Sequence, residues 1–271
     1  MPELPEVETI RRCIEQELVG QTVTGVVVRN PNLRWPVPED LSRSLAGGEI
    51  VSVRRRAKYL LIQTKAGTVI MHLGMSGRLL VCSQDRGIEK HDHLDLLMGN
   101  GKLLRFNDAR RFGCALWTSG PAMQHPLLKD LGKEPLEDGL TGKYLFDQSR
   151  RRSLAVKEFL MNSRVVVGIG NIYANEALFA AGIHPSRSAG RISAKRYEKL
   201  AAAIKKVLQE ALEQGGTTLR DFCDAAGNPG YFQLKLMVYD RSSEPCYACG
   251  SVIRWVRQAQ RSTYFCKKCQ R

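Results

Sequence analysis

The amino-terminal residues carry apolar side chains at helical spacing. Positions three or four apart share one face of a helix, and here they are Val7, Ile10, Ile14 and Leu18. The pattern predicts a helix that begins at Pro5 or Glu6, and Gly20 is a natural stop for it.

Residues 22–117 show a different pattern, with short runs of β-branched and other apolar residues separated by Gly and charged turns. Several short strands at this spacing are typical of a β-sandwich or barrel. The predicted strands are 23–29, 50–54, 59–64, 69–73, 94–98, 103–106 and 114–117.

Residues 118–142 are rich in Gly, Pro and polar side chains, which indicates a domain boundary. Beyond it the pattern becomes helical. One apolar stripe ends at the Gly-Gly pair 215–216, and its members are Tyr197, Leu200, Ile204, Val207, Leu208 and Ala211.

Charge favours a polyanionic partner. Lys and Arg total 41 against 27 acidic residues, a formal charge of +14, which is typical of nucleic-acid-binding proteins but not specific to them. No apolar run is long enough to span a membrane, and the first twelve residues lack the apolar segment of a signal peptide. We therefore expect a cytoplasmic protein that does not bind membranes.

The cysteines divide into two groups. In a cytosolic chain they indicate metal ligands or free thiols rather than disulfides. We expect the scattered ones to be small buried hydrophobes: Cys13, Cys82, Cys114 and Cys223. The others form two C-x-x-C pairs, Cys246 with Cys249 and Cys266 with Cys269, whose spacing predicts one structural zinc ion on a β-hairpin.

The amino terminus offers candidate chemistry. Removal of the initiator methionine would leave Pro2 as a free secondary amine, with a reference pKa of about 7.7–8.0. Such an amine attacking a sugar carbon forms a cationic iminium, which is an electron sink, and Glu3 could act beside it as an acid or base. These residues alone equally allow a structural role, in which Pro2 is a common second residue and Glu3 favours the helix start.

Motifs along nearly the full length resemble bacterial formamidopyrimidine-DNA glycosylase. The resemblance begins with PELPEVET at 2–9 and ends with the terminal cysteine pairs. Between them lie RAKYL at 56–60, HLGMSG at 72–77, KHDH at 90–93, RRFG at 110–113, VGIGNIYANE at 167–176 and QGGTT at 214–218. Their combination is far more specific than any one motif.

The resemblance implies an α+β multidomain fold. Residues 1–132 would form an N-terminal catalytic β-sandwich with flanking helices, residues 133–235 a helical domain with a helix–two-turn–helix motif, and residues 236–271 a zinc finger. Duplex DNA containing oxidised purines would bind in a basic cleft between the lobes, to a monomeric protein. Residues 225–234 would form a loop that closes over the flipped base.

The same resemblance implies a glycosylase that also cleaves the strand by β- and δ-elimination. Pro2 would attack the sugar carbon C1′ and displace the damaged base, and Glu3 would supply a proton. Lys58 would assist the elimination, and Arg261 on the zinc hairpin would assist the second cleavage.

Further residues would contact DNA. Met75, Arg110 and Phe112 match the wedge that fills the hole left by the flipped base. Backbone phosphates would be bound by His91, Arg111, Asn171 and Arg261, and Arg152 and Lys157 could add contacts. For Arg152 and its basic neighbours a solvated surface is an equally good interpretation, and Glu6 and Glu176 are expected to be buried supports.

Three alternatives remain open. An endonuclease VIII-like enzyme would prefer oxidised pyrimidines, and a non-catalytic binder of bent or gapped DNA would use the same phosphate contacts. His91 and His93 could share one face of a strand as a metal pair, but no third ligand is evident.

Overall fold

A computed structural model describes residues 2–214 and 236–271. The described residues form two compact units, one of residues 2–129 and one of residues 130–214 with 236–271. The Gly-Gly pair 215–216, Thr217 and Thr218 of the QGGTT motif, Cys223 and the loop predicted at 225–234 lie outside the described residues. The three-domain division predicted from the sequence stays a prediction.

The first helix, α1, spans Leu4–Leu18. It begins one residue before the predicted start because Glu3 and Glu6 form a reciprocal capping box. The predicted apolar stripe is buried, and it packs into the core of the first unit. Cys13 lies on the opposite, exposed face of this helix, so the prediction that it is buried was wrong.

Eight strands and one short helix follow α1. They are β1 Val23–Val28, α2 Leu41–Leu45, β2 Ile50–Arg56, β3 Tyr59–Thr64, β4 Thr68–His72, β5 Gly77–Ser83, β6 Asp92–Met98, β7 Lys102–Asp108 and β8 Cys114–Thr118. All seven predicted strands are present, β3 with the predicted ends and the other six with shifted ends, and β5 was missed.

These strands form two four-stranded antiparallel sheets, with the orders β1-β6-β7-β5 and β2-β3-β4-β8. One buried cluster takes side chains from both sheets and from α1, for example Leu94 and Leu104 from the first sheet and Leu60 and Val69 from the second. The predicted β-sandwich is therefore confirmed.

The second unit is mainly helical. Its helices are α3 Gly142–Ser149, α4 Val156–Leu160, α5 Asn171–Ala180 and α6 Ala194–Glu213, and its strands are β9 Arg254–Gln258 and β10 Arg261–Phe265. The predicted stripe of α6 packs in the core of this unit, with Val207 only partly buried. Strands β9 and β10 pair antiparallel, which confirms the predicted hairpin between the cysteine pairs.

Among the described residues, no helix combines the length and the apolar character needed to cross a membrane.

Candidate active site and nucleic-acid interface

Pro2 lies half-buried directly before α1. The next residue, Glu3, is only 2% exposed, and its backbone N–H donates to the Glu6 carboxylate at 2.8 Å. The Glu3 carboxylate accepts in return from the backbone N–H of Glu6. The structural role that the sequence allowed for Glu3 is thus present, and the capping box fixes the side chain of the residue that follows Pro2.

Lys58 lies in the tight turn between β2 and β3, whose closing pair is Arg56 and Tyr59. The next strand brings His72 opposite Tyr59, and their ring centroids are 4.8 Å apart. Burial, followed by the positive charges of Lys58 and Arg34, lowers the pKa of His72 to about 4. At physiological pH the imidazole of His72 is therefore neutral, and it lies in the surroundings of the Lys58 ammonium.

The three predicted wedge residues lie on two adjoining loops of the first unit. Met75 and Phe112 are 42% and 43% exposed, although both are large and apolar. The Arg110 guanidinium lies over the Phe112 ring, 4.6 Å from its centroid. These apolar side chains are therefore not part of the buried core, and the wedge function itself stays a prediction.

The two loops approach closely at Gly74, which has a left-handed φ of +62°. A Cβ atom at this position would lie 2.4 Å from the carbonyl carbon of Phe112, a distance that real Cβ atoms do not adopt. The Gly74 N–H donates to Nδ1 of His72 at 2.9 Å. Only glycine therefore fits here, and the Met75 turn is held against the loop that carries Phe112.

Asp108 links the same two loops, and the sequence motifs did not single it out. Its carboxylate accepts from the Ser76 hydroxyl at 2.6 Å and from the Gly113 N–H at 2.8 Å. An acidic residue in a turn just before two arginines was the available signal, because Asp side chains commonly accept from backbone N–H groups of a turn.

Two predicted phosphate contacts flank Asp108. His91 and Arg111 have left-handed backbones, with φ of 76° and 56°. The Asp108 N–H donates to the His91 carbonyl and the Arg111 N–H donates to the Asp108 carbonyl, each at 3.1 Å. Nε2 of His93 lies 2.8 Å from that same carbonyl, so this ring nitrogen is engaged in the fold.

In the second unit, Asn171 is the first residue of α5 and Gly170 is its N-cap. The first N–H groups of a helix have no partners within it and favour anions. Arg152 is half-buried, with its guanidinium carbon 5.6 Å from the centroid of the Phe159 ring. Both residues remain candidates for phosphate contact.

The structure gives Lys157 a different place from the one we expected. It is only 2% exposed, and its ammonium donates to the Ser262 carbonyl at 3.0 Å and to the Thr263 hydroxyl at 2.7 Å. An ammonium at such depth does not lie on a surface that reaches phosphate. The expected DNA contact is therefore replaced by a structural one, in which α4 holds β10.

Arg261 is exposed at the start of β10. The two turn residues before it, Ala259 and Gln260, have positive φ of 45° and 62°, as a tight two-residue hairpin turn requires. Nη1 of Arg261 lies 3.8 Å from Sδ of Met161. The strand is held further along by Asn175, which is fully buried and accepts from the Tyr264 N–H at 2.8 Å.

The four terminal cysteines form one cluster, in which all sulfur atoms lie within 4.8 Å of one another. Sγ of Cys249 lies 3.4 Å from Sγ of Cys266, and Sγ of Cys246 lies 4.0 Å from Sγ of Cys269. A zinc ion with four thiolates at about 2.3 Å requires sulfurs about 3.8 Å apart. The residues therefore fit one structural zinc ion, as the spacing predicts.

Glu176 is buried, as expected, and its carboxylate binds one backbone segment. Its carboxylate accepts the consecutive backbone N–H groups of Met237, Val238 and Tyr239 at 2.7–2.9 Å. Burial raises the pKa of Glu176, although these three donors oppose the shift. One side chain of α5 thus anchors the chain just before the zinc module.

Three family models match the chain in succession. They are the formamidopyrimidine-DNA glycosylase N-terminal domain at residues 1–115, the formamidopyrimidine-DNA glycosylase H2TH domain at residues 131–223, and the zinc finger found in FPG and IleRS at residues 243–271. The chain belongs to the formamidopyrimidine-DNA glycosylase family. Membership confirms the predicted α+β fold with a β-sandwich, a helix–two-turn–helix domain and a zinc finger.

Curated family members match over their full length. The formamidopyrimidine-DNA glycosylase of Pseudomonas entomophila is 58% identical over 271 residues and that of Nitrosococcus oceani is 54% identical over 270, each with 100% of both chains covered. Among solved structures, a Lactococcus lactis mutant enzyme with Fapy-dG-containing DNA is 33% identical, with a TM-score of 0.91 and 100% of both chains covered. The Lactococcus lactis enzyme with abasic-site DNA is 33% identical, with a TM-score of 0.91 and 99% coverage.

Proposed function

We propose that this protein is a base-excision-repair DNA glycosylase and AP lyase that removes oxidised purines, such as 8-oxoguanine and formamidopyrimidines, from duplex DNA. The observation that carries this proposal is the position of Pro2, directly before the buried carboxylate of Glu3, in a chain that matches the family from end to end. The solved relatives bound to lesion-containing or abasic DNA support the same substrate class.

In the proposed reaction the Pro2 nitrogen forms a bond to C1′, and the bond from C1′ to the damaged base breaks. A secondary amine has no second proton to lose, so opening of the sugar leaves a cationic iminium. Loss of a proton from C2′ then expels the 3′ phosphate, and loss of a proton from C4′ expels the 5′ phosphate. Hydrolysis of the iminium returns the free amine and leaves a one-nucleotide gap.

Three side chains assist the proton transfers and eliminations in this scheme. Glu3 supplies the proton that helps sugar opening or base departure. Lys58 assists the first elimination, and Arg261 assists the second.

DNA contacts are divided between the two units. Met75, Arg110 and Phe112 fill the space left by the flipped nucleotide, and Arg110 hydrogen-bonds the orphan base. The phosphates around the lesion are bound by His91, Arg111, Arg152, Asn171 and Arg261. Lys157 is not included because its ammonium is engaged inside the second unit.

Zinc supplies no chemistry in this proposal. Four protein thiolates complete a tetrahedral site and leave no position for water or substrate. The ion instead holds the short hairpin that carries Arg261, which has little apolar core of its own. We further propose that the enzyme acts as a monomer in the bacterial cytoplasm, where its DNA substrate lies.

Borohydride trapping tests the proposal. Reduction during turnover of an 8-oxoguanine duplex should give a stable protein–DNA adduct, and mass spectrometry should locate it on the tryptic peptide of residues 2–11. The matched control retains an N-terminal extension, so that Pro2 has no free amine, and should not be trapped. Absence of an adduct in protein that has lost Met1 would overturn the enzymatic proposal and favour a DNA-binding role alone.

A lesion panel separates this activity from that of an endonuclease VIII-like enzyme. We expect faster excision of 8-oxoguanine opposite cytosine than of thymine glycol under single-turnover conditions. The reverse preference would overturn the substrate class but not the Pro2 chemistry.

A further inference from the structure

Asp108 is a buried carboxylate that the proposed chemistry does not use. It ends β7 and has no exposed surface. Burying a carboxylate costs free energy unless hydrogen bonds compensate. Within the part of the chain that the structure describes, the hydrogen bonds of its side chain all go to the two loops that carry the wedge residues.

The first contact is with the turn that carries Met75. Oδ1 of Asp108 accepts from the hydroxyl of Ser76, the residue after Met75, at 2.6 Å. The same Ser76 oxygen accepts from the Arg110 N–H at 3.1 Å. A serine beside Met75 is therefore tied both to Asp108 and to the backbone of Arg110.

The second set of contacts is with the loop that carries Arg110 and Phe112. Oδ1 also lies 3.3 Å from the Arg110 N–H, and Oδ2 accepts from the Gly113 N–H at 2.8 Å. The backbone N–H groups on either side of Phe112 are thus bound by opposite oxygens of one carboxylate. This arrangement fixes the path of the loop beneath Phe112.

The packing at this point leaves little room for adjustment. A Cβ atom at Gly113 would lie 2.4 Å from the His72 carbonyl oxygen and 3.2 Å from Oδ2 of Asp108. Gly113 therefore packs against the end of β4, and the backbones of the two loops approach each other at Gly74 and Phe112. The backbone of Asp108 also forms hydrogen bonds with the backbones of His91 and Arg111, as described above.

We propose that Asp108 is a positioning residue that holds Met75, Arg110 and Phe112 as one rigid wedge, and that it thereby acts on base extrusion and on reading of the opposite base. The proposal rests on the wedge function proposed for those three side chains. Unstacking a base costs free energy, and a wedge that must first be ordered loses part of the binding free energy that would offset this cost. Asp108 removes that ordering cost because the two loops are joined before DNA binds.

The test replaces Asp108 by Asn, which keeps the size but puts an amide N–H₂ where one acceptor was. A lost charge-assisted hydrogen bond corresponds to about a 10-fold to 100-fold effect. We expect the rate of single-turnover excision of 8-oxoguanine opposite cytosine to fall by about 10-fold to 100-fold. This loss should be at least about ten times larger than the loss in cleavage of a preformed abasic site. Discrimination between cytosine and adenine opposite the lesion should decrease. The fluorescence change of a 2-aminopurine next to the lesion, which reports base extrusion, should become slower.

Asp95→Asn is the matched control. Asp95 is an equally buried acid of the same sheet, but its carboxylate binds Arg29 and Arg105 instead of the wedge loops. We therefore expect Asp95→Asn to lose stability as Asp108→Asn does. It should not change the ratio of excision to abasic-site cleavage or the opposite-base discrimination.

Ser76→Ala deletes one link and leaves Asp108 intact, so it tests the proposal even if Asp108→Asn does not fold. We expect the same pattern of effects with about a 3-fold to 10-fold loss of excision. Equal losses of excision and abasic-site cleavage in the folded variants, or unchanged opposite-base discrimination, would overturn the positioning function. Failure of the wild-type protein to be trapped on DNA would instead overturn the proposed function itself.

Discussion

The ammonium of Lys157 lies 2.7 Å from the hydroxyl oxygen of Thr263, a residue 106 positions away in the sequence. Both residues are buried, and the same ammonium donates to the Ser262 carbonyl. A buried charge is costly unless it is fully hydrogen-bonded, so this contact strongly specifies one position for β10 relative to α4. The proposed action of Arg261 depends on that position, because Arg261 begins the same strand.

Lys157→Met is therefore expected to loosen the hairpin rather than remove a phosphate contact. Two buried acceptors would lose their donor, and we expect the free energy of unfolding to fall by about 1–3 kcal/mol. Chemical denaturation and the rate of zinc release to a chelator measure the effect. The control is Lys143→Met, since the Lys143 side chain is 84% exposed and pairs with Asp147 on its own helix. Equal stability and zinc retention in both variants would show that the buried contact contributes nothing.

Gly74→Ala should destabilise the wedge loops by more than its backbone conformation alone requires. Gly101→Ala is the matched control, because Gly101 also has a positive φ, +80°, but a Cβ atom there would meet nothing within 4 Å. Both variants carry a backbone cost of about 1 kcal/mol, and only Gly74→Ala adds the clash with Phe112. We expect it to lose about 2 kcal/mol more in thermal or chemical unfolding, with slower excision of 8-oxoguanine. Similar losses in the two variants would contradict the close approach.

His72 should make the first unit less stable as the pH falls. The pKa of His72 is about 4, against 6.5 as its ordinary value, because burial and then the nearby charges of Lys58 and Arg34 disfavour the imidazolium. Between these two values the unfolded chain binds a proton that the folded chain does not. Stability is therefore retained above pH 6.5 and lost as the pH falls from 6.5 towards 4, by up to about 3 kcal/mol.

The comparison of wild type with His72→Gln isolates this contribution, since all other groups titrate alike in both proteins. Unfolding free energies measured from pH 7 to pH 4.5 should converge between the two proteins as the pH falls. Parallel curves across this range would show that His72 titrates normally in the folded protein.

Cys249→Ser should abolish tight zinc binding. Three thiolates hold the ion less firmly than four, and zinc binding is coupled to folding of the hairpin. We expect metal analysis to give well below one zinc per chain, together with weaker binding to duplex DNA because Arg261 is no longer held. Cys13→Ser is the control, because Cys13 lies on α1 outside the cysteine cluster. A full zinc content in Cys249→Ser would refute the four-cysteine site.

The local patterns in the sequence were sufficient for much of this protein. Helical spacing identified the buried face of α1 and of α6, and alternation with turn residues located seven of the strands. The C-x-x-C spacing predicted both the zinc cluster and the hairpin between the pairs. Each of these features is encoded by residues close together in the chain, where periodicity and turn chemistry act directly.

Other features depended on residues that are distant in the sequence. No residue near Lys157 in the sequence indicates that its ammonium binds strand β10. Likewise, no residue near His72 in the sequence indicates that its imidazole is buried close to the charge of Lys58. Asp108 could be recognised as a turn residue, but only the tertiary structure joins it to Ser76 on another loop. The sequence alone thus determined seven of the strands of the first unit, the helices α1 and α6, the metal ligands and the family. Packing decided which charges are buried and which loops are joined by hydrogen bonds, because desolvation and hydrogen bonding depend on the neighbours that folding brings together.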